Sequence, residues 1–528
     1  MSASLTQNAA SLPAVPPGFE IPAIDLPDIA RAVLGLSEAV ARAAAALDAT
    51  QADTSFAAAM RELAPAPLPG PDLESLAPVD GAPSETRVRD CLAMAGEGRV
   101  GPLAWRSLDA DRALTAASVL DAERAARTFR GPLHGMPIGL KDMFDRRGHV
   151  AGWGTAMRAG TAPARSDATI VSRLQAAGAV AVGALHMAEF AMSPTGLNAT
   201  YGPGINPWNP DHISGGSSSG SGMVVASGHV PVAIGSDTGG SVRLPAAFCG
   251  VTGLKPTQYR VSVAGVMPLA PSLDCVGVLG RSAELCGWTW MAMAGADQGD
   301  PSCLDLPAPS LGWMSQAAAD FTLAVPRLSP GPLLSADMAH AFDEAVAVLR
   351  RAGVRCIPVE LPDLDLYGRL ASVLLAAESV AIHRQWLSSR ANEYGRQVRR
   401  RLSRGLLVGA MDYYDALRLR VALLRQFVNG TLGVADALLL PTMPDVAPRV
   451  DRTIGDDETR LEQEFSRLSF WTRGINYLGV PALSVPAGTG AHGLPLAVQF
   501  VGRPLAEDRV LALGCCFQRE TPWHARRP

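Results

Sequence analysis

Two glycine-rich serine clusters are the segments of this 528-residue chain best suited to chemistry. The first reads GGSSSG at 215–220, and the second reads TGGS at 238–241. Because glycine has no Cβ atom, main-chain N–H groups in such turns can approach a bound ligand closely. A serine hydroxyl beside several convergent N–H groups suits acyl transfer, since the N–H groups hold the oxyanion of a tetrahedral intermediate. The apolar segment 230–234 between the clusters predicts a buried strand that leads into the second turn.

A general base for this chemistry is absent from the second cluster. No His or Lys lies between Gly235 and Phe248, so the proton acceptor must come from elsewhere in the chain. Lys141 follows the apolar, glycine-bounded run GMPIGL at 135–140. Burial at this place would lower the pKa of the lysine and make its neutral amine a usable base. The alternative, which the apolar run disfavours, is a simple ion pair with the adjacent Asp142.

Three motifs together resemble those of the amidase signature family: GLKD at 139–142, GGSSSG at 215–220 and GGSVR at 239–243. Similar segments run from Leu120 to Gly502, which is most of the chain. The resemblance implies the family's fold, an α/β/α sandwich built on a large mixed β-sheet.

The resemblance also implies a Lys-Ser-Ser triad. In it Lys141 is the base, Ser217 the bridging serine that follows a cis peptide bond, and Ser241 the nucleophile. Taken alone, Ser241 would be interpreted as a helix-capping serine and Ser217 as part of a flexible loop. Ser218 and Ser219 are competing candidates for the bridging position, and Ser218 is predicted to support the site.

The turn before the nucleophile is predicted to form the oxyanion hole. The backbone N–H groups of Thr238, Gly239 and Gly240 are the candidate donors. Asp237 and Arg243 flank the turn, and we predict that they pair and brace it. An ordinary surface ion pair is an equally good interpretation of these two residues.

The order of elements predicts an α/β fold with helices on both faces of the sheet. A helix capped by Asp167, a glycine and the strand 180–182 follow one another, and the same order recurs from Ser335 to Val359. A longer helix is predicted from 107 to 127.

An N-terminal extension is predicted to precede the catalytic part. Apolar residues at helical spacing indicate helices at 28–47 and 55–63, and repeated prolines then indicate a linker at 64–84. We therefore divide the chain into an N-terminal helical extension with its Pro-rich linker, residues 1–84, and a catalytic domain, residues 85–528.

Composition limits the partners of the protein. The net charge is −4 and the pI is near 6.2, so the chain lacks the excess of positive charge that binds nucleic acid or an anionic membrane. A small molecule is therefore the expected partner. The eight cysteines and nine histidines show no metal-binding spacing, and no metal or other cofactor is implied. No secretory signal and no spanning apolar run is evident, which predicts a cytoplasmic protein.

The predicted activity is hydrolysis of a linear carboxylic amide, aliphatic or aryl, to carboxylate and ammonia or amine through an acyl-serine. A carbamate or urea-type substrate and the glutamine-hydrolysing subunit of a tRNA-dependent amidotransferase are alternatives. The long segment before Lys141 argues against the subunit, and a homodimer is left open. The GxSxG match at 216–220 is not interpreted as an α/β-hydrolase elbow, because NPWNPD at 206–211 excludes the preceding strand.

Overall fold

One mixed sheet of eleven strands organises the chain in the computed structural model, which describes residues 26–47, 55–68, 70, 82–309 and 311–528. The strands in chain order are β1 Trp105–Leu108, β2 Pro137–Lys141, β3 Val180–Leu185, β4 Val232–Ser236, β5 Thr252–Lys255, β6 Val276–Gly280, β7 Thr322–Pro326, β8 Arg355–Val359, β9 Ala437–Pro441, β10 Ala482–Thr489 and β11 Pro495–Gly502.

The order of strands across the sheet is β1-β3-β2-β4-β6-β5-β10-β11-β9-β7-β8. Strand β2 runs parallel to β3 and β4, and β7 runs parallel to β8 and β9, whereas the other neighbours are antiparallel. Strands β2, β4 and β11 are buried along their whole length. Burial on both faces explains why these segments are continuous apolar runs rather than alternating ones.

Sixteen α-helices surround the sheet within the described residues. They are α1 Leu26–Ala46, α2 Phe56–Glu62, α3 Ser84–Gly96, α4 Gly101–Ala104, α5 Ala110–Ala125, α6 Thr169–Ala176, α7 Ser219–Ala226, α8 Arg243–Cys249, α9 Ala283–Met293, α10 Ala336–Arg351, α11 Leu364–Arg390, α12 Arg396–Arg404, α13 Ala410–Gln426, α14 Glu458–Leu468, α15 Phe470–Leu478 and α16 Glu507–Glu520. A helix with the length and apolarity needed to cross a bilayer is absent from the part of the chain that the structure describes.

Helices cover both faces of the sheet, as predicted. On α8, Ala246 lies so close to the sheet that a Cβ added to Gly253 would be 2.6 Å from its Cβ. On α16, a Cβ added to Gly514 would lie 2.3 Å from Leu483. Gly253 pairs with Ser484, the residue after Leu483. Because successive strand residues point to opposite faces, α8 and α16 lie on opposite sides.

Most predicted elements are confirmed, with shifts at their ends. The predicted helices at 28–47 and 55–63 are α1 and α2, and Ser335 caps α10 by accepting a hydrogen bond from Met338 N at 3.2 Å. The predicted strand 230–234 begins two residues later, as β4.

Two local predictions are wrong. The predicted helix 107–127 begins with strand β1, which pairs with β3, and α5 starts only at Ala110. Asp167 does not cap α6, because its carboxylate accepts from Arg147 N at 2.7 Å and pairs with Arg112 at 2.9 Å. In both cases contacts with residues distant in the sequence override the local pattern.

The N-terminal helices pack on the rest of the protein. Helix α1 contacts α11 and α13, and α2 contacts α13. Val40 on α1 and Met60 on α2 are fully buried, and the Arg420 guanidinium lies 3.7 Å from the ring centre of Phe56. The predicted linker at 64–84 lies mostly outside the described residues, and the boundary between residues 84 and 85 stays a prediction.

Truncation of Met60 tests the docking of α2. Met60→Ala is expected to lower the free energy of unfolding by about 2–5 kcal/mol, because the side chain is fully buried. Equilibrium urea denaturation measures this, with Leu34→Ala as the control, since Leu34 on α1 is 48% exposed. Equal midpoints for the two variants would contradict the packing described here.

Candidate active site

Lys141 ends strand β2 in the interior of the protein. Its side chain is 1% exposed, and its Nζ lies 2.7 Å from Ser217 Oγ and 2.8 Å from Ser236 Oγ. Burial lowers the pKa of Lys141 to about 7, against the opposing pull of the Asp237 and Asp274 carboxylates. A neutral amine, able to accept a proton, is therefore well populated near neutral pH.

Asp142 is not the partner of this lysine. Its carboxylate accepts a hydrogen bond from Gly152 N at 2.9 Å. Burial raises the pKa of Asp142 to about 6, although Arg146 and other cations oppose the increase. The neighbouring acid therefore leaves the amine of Lys141 free to contact the serines.

Of the three serines in the first cluster, Ser217 is the one that contacts the lysine. It is fully buried and follows a cis peptide bond from Gly216, as the resemblance implied. Ser218 Oγ instead donates to Ser236 O at 3.3 Å, and Ser219 Oγ lies 2.8 Å from Nδ1 of His186.

Ser241 lies on the turn between β4 and α8, next to the first cluster. Its carbonyl oxygen accepts a hydrogen bond from Ser218 N at 3.3 Å, so the two motifs are joined through their backbones. Ser241 is half-buried, whereas Ser217 is fully buried. The structure thus joins Lys141 to Ser217 through their side chains, and it places Ser241 beside the first cluster through a backbone hydrogen bond to Ser218.

The carboxylate of Asp237 holds this turn in shape. It accepts hydrogen bonds from Gly240 N at 2.7 Å, Val242 N at 3.1 Å and Arg243 N at 3.3 Å. It also pairs with Arg243 Nε at 3.0 Å, and both side chains are completely buried. The predicted brace between the two residues is present, and it is a core ion pair rather than a surface one.

The rest of the Arg243 guanidinium is satisfied by distant parts of the chain. It donates to Gln499 Oε1 at 3.0 Å and to Asn476 Oδ1 at 2.6 Å, while Asn476 Nδ2 donates to Asp237 Oδ1 at 2.9 Å. Burial pushes the pKa of Asp237 up, but the Arg243 charge outweighs it and holds the pKa well below its usual range. The pair is therefore ionised and fully hydrogen-bonded, the condition under which a buried ion pair is tolerated.

The backbone amides of the turn differ in their availability. The Gly240 N–H donates to Asp237, so the prediction that it points at an oxyanion is wrong for this structure. Among the described residues, the amides of Thr238, Gly239 and Ser241 donate to no protein acceptor. Thr238 Oγ1 donates to Asp274 Oδ1 at 2.7 Å, which fixes the turn on its other side.

Several residues of this site were missed in the sequence. Ser236, Asp274, Asn476 and Gln499 all contact the triad or its turn. Ser236 could have been found, because it ends the strand that precedes the turn. The other three come from loops, helices and strands far along the chain, and no spacing connects them to the motifs.

A histidine and a cysteine near the first serine cluster have structural environments. His186 contacts Ser219 and the carbonyl oxygen of Gly202, and burial lowers its pKa to about 4, so it is neutral at pH 7. Burial raises the pKa of the Cys249 thiol above its usual range. The described residues contain no group of three or more His, Cys, Asp or Glu side chains placed to hold a metal ion.

Comparisons with known proteins place this fold in a class of hydrolases. The Amidase family model matches residues 101–511. A glutamyl-tRNA(Gln) amidotransferase subunit of Moorella thermoacetica is 36% identical over 456 residues, 82% of this chain and 92% of that protein.

Two solved structures are similar to this chain in fold. One, from a vestigial protein complex that reveals the evolutionary origins of an s-triazine catabolic enzyme, has a TM-score of 0.76 and 32% identity, covering 83% of this chain and 95% of its own. The peptide amidase of Stenotrophomonas maltophilia has a TM-score of 0.69 and 28% identity, covering 85% of this chain and 95% of its own. This chain belongs to the amidase signature family and is an enzyme of that hydrolase family.

Hydrolysis that depends on neutral Lys141 should increase with pH. The pKa of Lys141 falls from its ordinary 10.5 to about 7, so the base form gains population as pH rises through that value. With any amide that the enzyme cleaves, kcat/KM is expected to rise about tenfold per pH unit below 7 and to level off above it. A profile that is flat or falling between about pH 5.5 and 8 would exclude Lys141 as the base.

Removing the charge of Asp237 should destabilise the whole protein. Asp237→Asn leaves the buried Arg243 guanidinium without its counter-charge, and the free energy of unfolding is expected to drop by about 3–5 kcal/mol. Thermal denaturation measures the loss. The control is Glu85→Gln, which breaks an exposed pair with Arg89 and should cost less than about 1 kcal/mol. Similar melting temperatures for both variants would contradict the bracing role.

Proposed function

We propose that this enzyme is an amidase that hydrolyses the C–N bond of a linear carboxylic amide through an acyl-serine intermediate. The observation that carries the proposal is the buried Lys141 amine, whose pKa is near 7 and which contacts Ser217 beside the turn that bears Ser241. The proposal is supported by the contact between this base and Ser217 and by the unused N–H groups of the turn that carries Ser241.

The proposed reaction begins with the removal of a proton from the nucleophile. Neutral Lys141 accepts the proton of Ser217 while Ser217 accepts that of Ser241, and Ser241 Oγ attacks the amide carbonyl. The N–H groups of Thr238 and Gly239 stabilise the oxyanion. Return of the proton through Ser217 to the nitrogen breaks the C–N bond and releases ammonia or amine.

Water completes the cycle by the same route. Its proton passes through Ser217 to Lys141 while its oxygen attacks the acyl-Ser241 carbonyl. The bond between that carbon and Ser241 Oγ then breaks, the proton returns through Ser217 to Ser241 Oγ, and the carboxylic acid product ionises to the carboxylate. Ser236 supports the lysine, because its hydroxyl can accept an N–H of the neutral amine while the nitrogen lone pair faces Ser217. The proposed partner is a small-molecule amide, and the net charge of −4 supports no role for nucleic acid.

A second candidate is a glutamine-hydrolysing subunit of a tRNA-dependent amidotransferase. It is favoured by the identity of 36% to a glutamyl-tRNA(Gln) amidotransferase subunit, 92% of which this chain covers. The chemistry at Ser241 would be the same, with glutamine as the amide and the released ammonia passing to a partner protein. Carbamates and urea-type compounds remain a third substrate class, because they share the tetrahedral intermediate.

A substrate panel with Ser241→Ala tests the proposal. Release of ammonia or amine is measured from aliphatic amides, anilides, carbamates, urea-type compounds and glutamine. Activity in Ser241→Ala is expected to fall by at least about 10³-fold, whereas Ser302→Ala, which changes an exposed serine, should behave as wild type. Wild-type rates in Ser241→Ala would overturn the assignment of the nucleophile.

The same panel separates the two candidate functions. A lone amidase cleaves several simple amides as a purified single chain. A glutaminase subunit cleaves glutamine in preference to the other amides, and its rate increases when a partner protein co-purifies. If no panel compound is turned over by the purified chain alone, the lone-amidase proposal fails.

A further inference from the structure

A second feature of the structure is a cavity of about 820 Å³, one of whose lining residues, Arg473, also lies next to Gly239 of the turn 238–241. It lies between the N-terminal helix α1 and helices α11, α12, α14 and α15. Apolar side chains such as Val33, Leu36 and Leu375 form part of its wall. The size suits a small organic molecule.

The lining of this cavity carries an excess of positive charge. Seven arginines line it within the described residues, against two carboxylates. The two carboxylates are already paired: Asp365 with Arg369 at 2.7 Å and Glu462 with Arg404 at 2.7 Å. Two more arginines pair with acids that do not line the cavity, namely Arg400 with Glu458 and Arg467 with Glu464.

Of the other three arginines, Arg31 also has an interaction of its own. Arg401 and Arg473 form no ion pair with a carboxylate among the described residues, although the Glu462 charge acts on both. Arg401 donates to the carbonyl oxygen of Met192 at 2.5 Å. Arg473 donates to Ser372 Oγ at 2.8 Å and to Ser469 Oγ. These neutral acceptors satisfy some N–H groups but supply no negative charge.

The environment of Arg473 is unusual for a guanidinium. Burial lowers its pKa to about 10, and the nearby positive charges of Arg401 and Arg404 act in the same direction, opposed by Glu462. Arg473 is half-buried, and a partly desolvated charge is ordinarily paired because desolvation without a counter-charge is costly. An anion that enters this cavity would supply the missing charge.

Arg473 also lies directly beside the turn 238–241, which carries Ser241. A Cβ added to Gly239 would be 3.6 Å from Arg473 Cγ. The preceding residue, Thr472, donates its hydroxyl to the carbonyl oxygen of Gly239 at 2.9 Å. Since consecutive Cα atoms are about 3.8 Å apart, Gly239 lies within about 7.6 Å of Ser241. Arg473 therefore connects the cavity, which it lines, to the turn that carries Ser241.

We propose that the cavity binds a carboxylate group of the substrate through Arg473, with Arg401 behind it, so that the amide cleaved at Ser241 belongs to a carboxylate-bearing molecule. This inference rests on the proposed amidase function and narrows its substrate class. A guanidinium suits this task because its planar N–H groups match the two oxygens of a carboxylate. The N-terminal helix α1 then serves as a wall of the specificity pocket.

Paired substrates test the proposal. Succinamate carries the carboxylate on its acyl side, and isocaproamide is its neutral counterpart, in which an isopropyl group replaces the carboxylate. N-butyrylglycine carries the carboxylate on its amine side, and N-isobutylbutyramide is its neutral counterpart. The wild-type enzyme is expected to prefer the charged member of one pair, and that pair identifies the side of the amide that faces Arg473.

Variants of Arg473 identify the source of the preference. Arg473→Met should raise KM for the preferred carboxylate on the order of 30-fold, with little change for its neutral counterpart, because one charge-assisted contact is lost. Arg473→Gln keeps a side chain able to hydrogen-bond Ser372 and Ser469, and it replaces Arg473→Met should that variant not fold. Arg473→Lys keeps the charge and should restore part of the preference. Arg396→Met is the matched control, since Arg396 is on α12 but outside the cavity lining.

A binding measurement separates this inference from the proposed function. Succinate, which cannot be hydrolysed, should raise the melting temperature of the wild-type protein but not of Arg473→Met or Arg473→Gln. If no amide is cleaved but succinate binds in this Arg473-dependent way, the amidase proposal fails and the anion site stands. If amides are cleaved without preference for either carboxylate, or if the Arg473 variants keep the wild-type preference, the anion site is overturned.

Discussion

The buried ion pair between Asp237 and Arg243 is the interaction on which the site depends. Asp237 follows β4 and Arg243 begins α8. Asn476 on α15 contacts both residues, and Gln499 on β11 accepts a hydrogen bond from Arg243. Two opposite charges with no solvent exposure are stable only when every polar atom is satisfied. The network therefore determines the path of the turn that presents Ser241, and through it connects the N-terminal and C-terminal halves of the sheet.

This network also contributes to the state of Lys141. An isolated carboxylate near a buried lysine would hold the amine in its charged form, because opposite charges interact strongly away from water. Asp237 is neutralised in large part by Arg243, and burial raises the pKa of Asp274 so that its charge is disfavoured. Desolvation consequently dominates at Lys141, and its pKa falls to about 7. The same pairing that shapes the turn thus leaves the amine able to act as a base.

Close backbone approach explains the glycines of the two motifs. Gly240 has a φ of +125°, and a Cβ added to it would lie 2.3 Å from Thr472 Oγ1. A Cβ on Gly216 would lie 2.5 Å from Gly196 N. A larger residue at either position would displace its neighbours. Packing therefore requires glycine at these two positions of the motifs, independently of the chemistry.

The sequence by itself determined the class of fold and the positions of most elements, and its resemblance to the amidase signature family implied the roles of Lys141, Ser217 and Ser241. Local patterns suffice for the elements, because apolar periodicity marks helices and strands, and the motifs that carry the resemblance are contiguous. Local patterns failed where partners are distant: the start of the predicted helix at 107–127 pairs as strand β1, and Asp167 binds Arg147 and Arg112 instead of capping α6.

Only the tertiary structure decided the electrostatics and the neighbours of the site. The contact of the Ser217 hydroxyl with the Lys141 amine, which Ser218 and Ser219 do not make, depends on how the first cluster packs against β2. The commitment of the Gly240 amide to Asp237 depends on how the turn closes. The side chain of Arg473 lies beside Gly239 because α15 packs against the turn, although the two residues are more than two hundred positions apart in the sequence. Burial and charge are properties of the assembled chain, since they arise from contacts that sequence spacing does not encode.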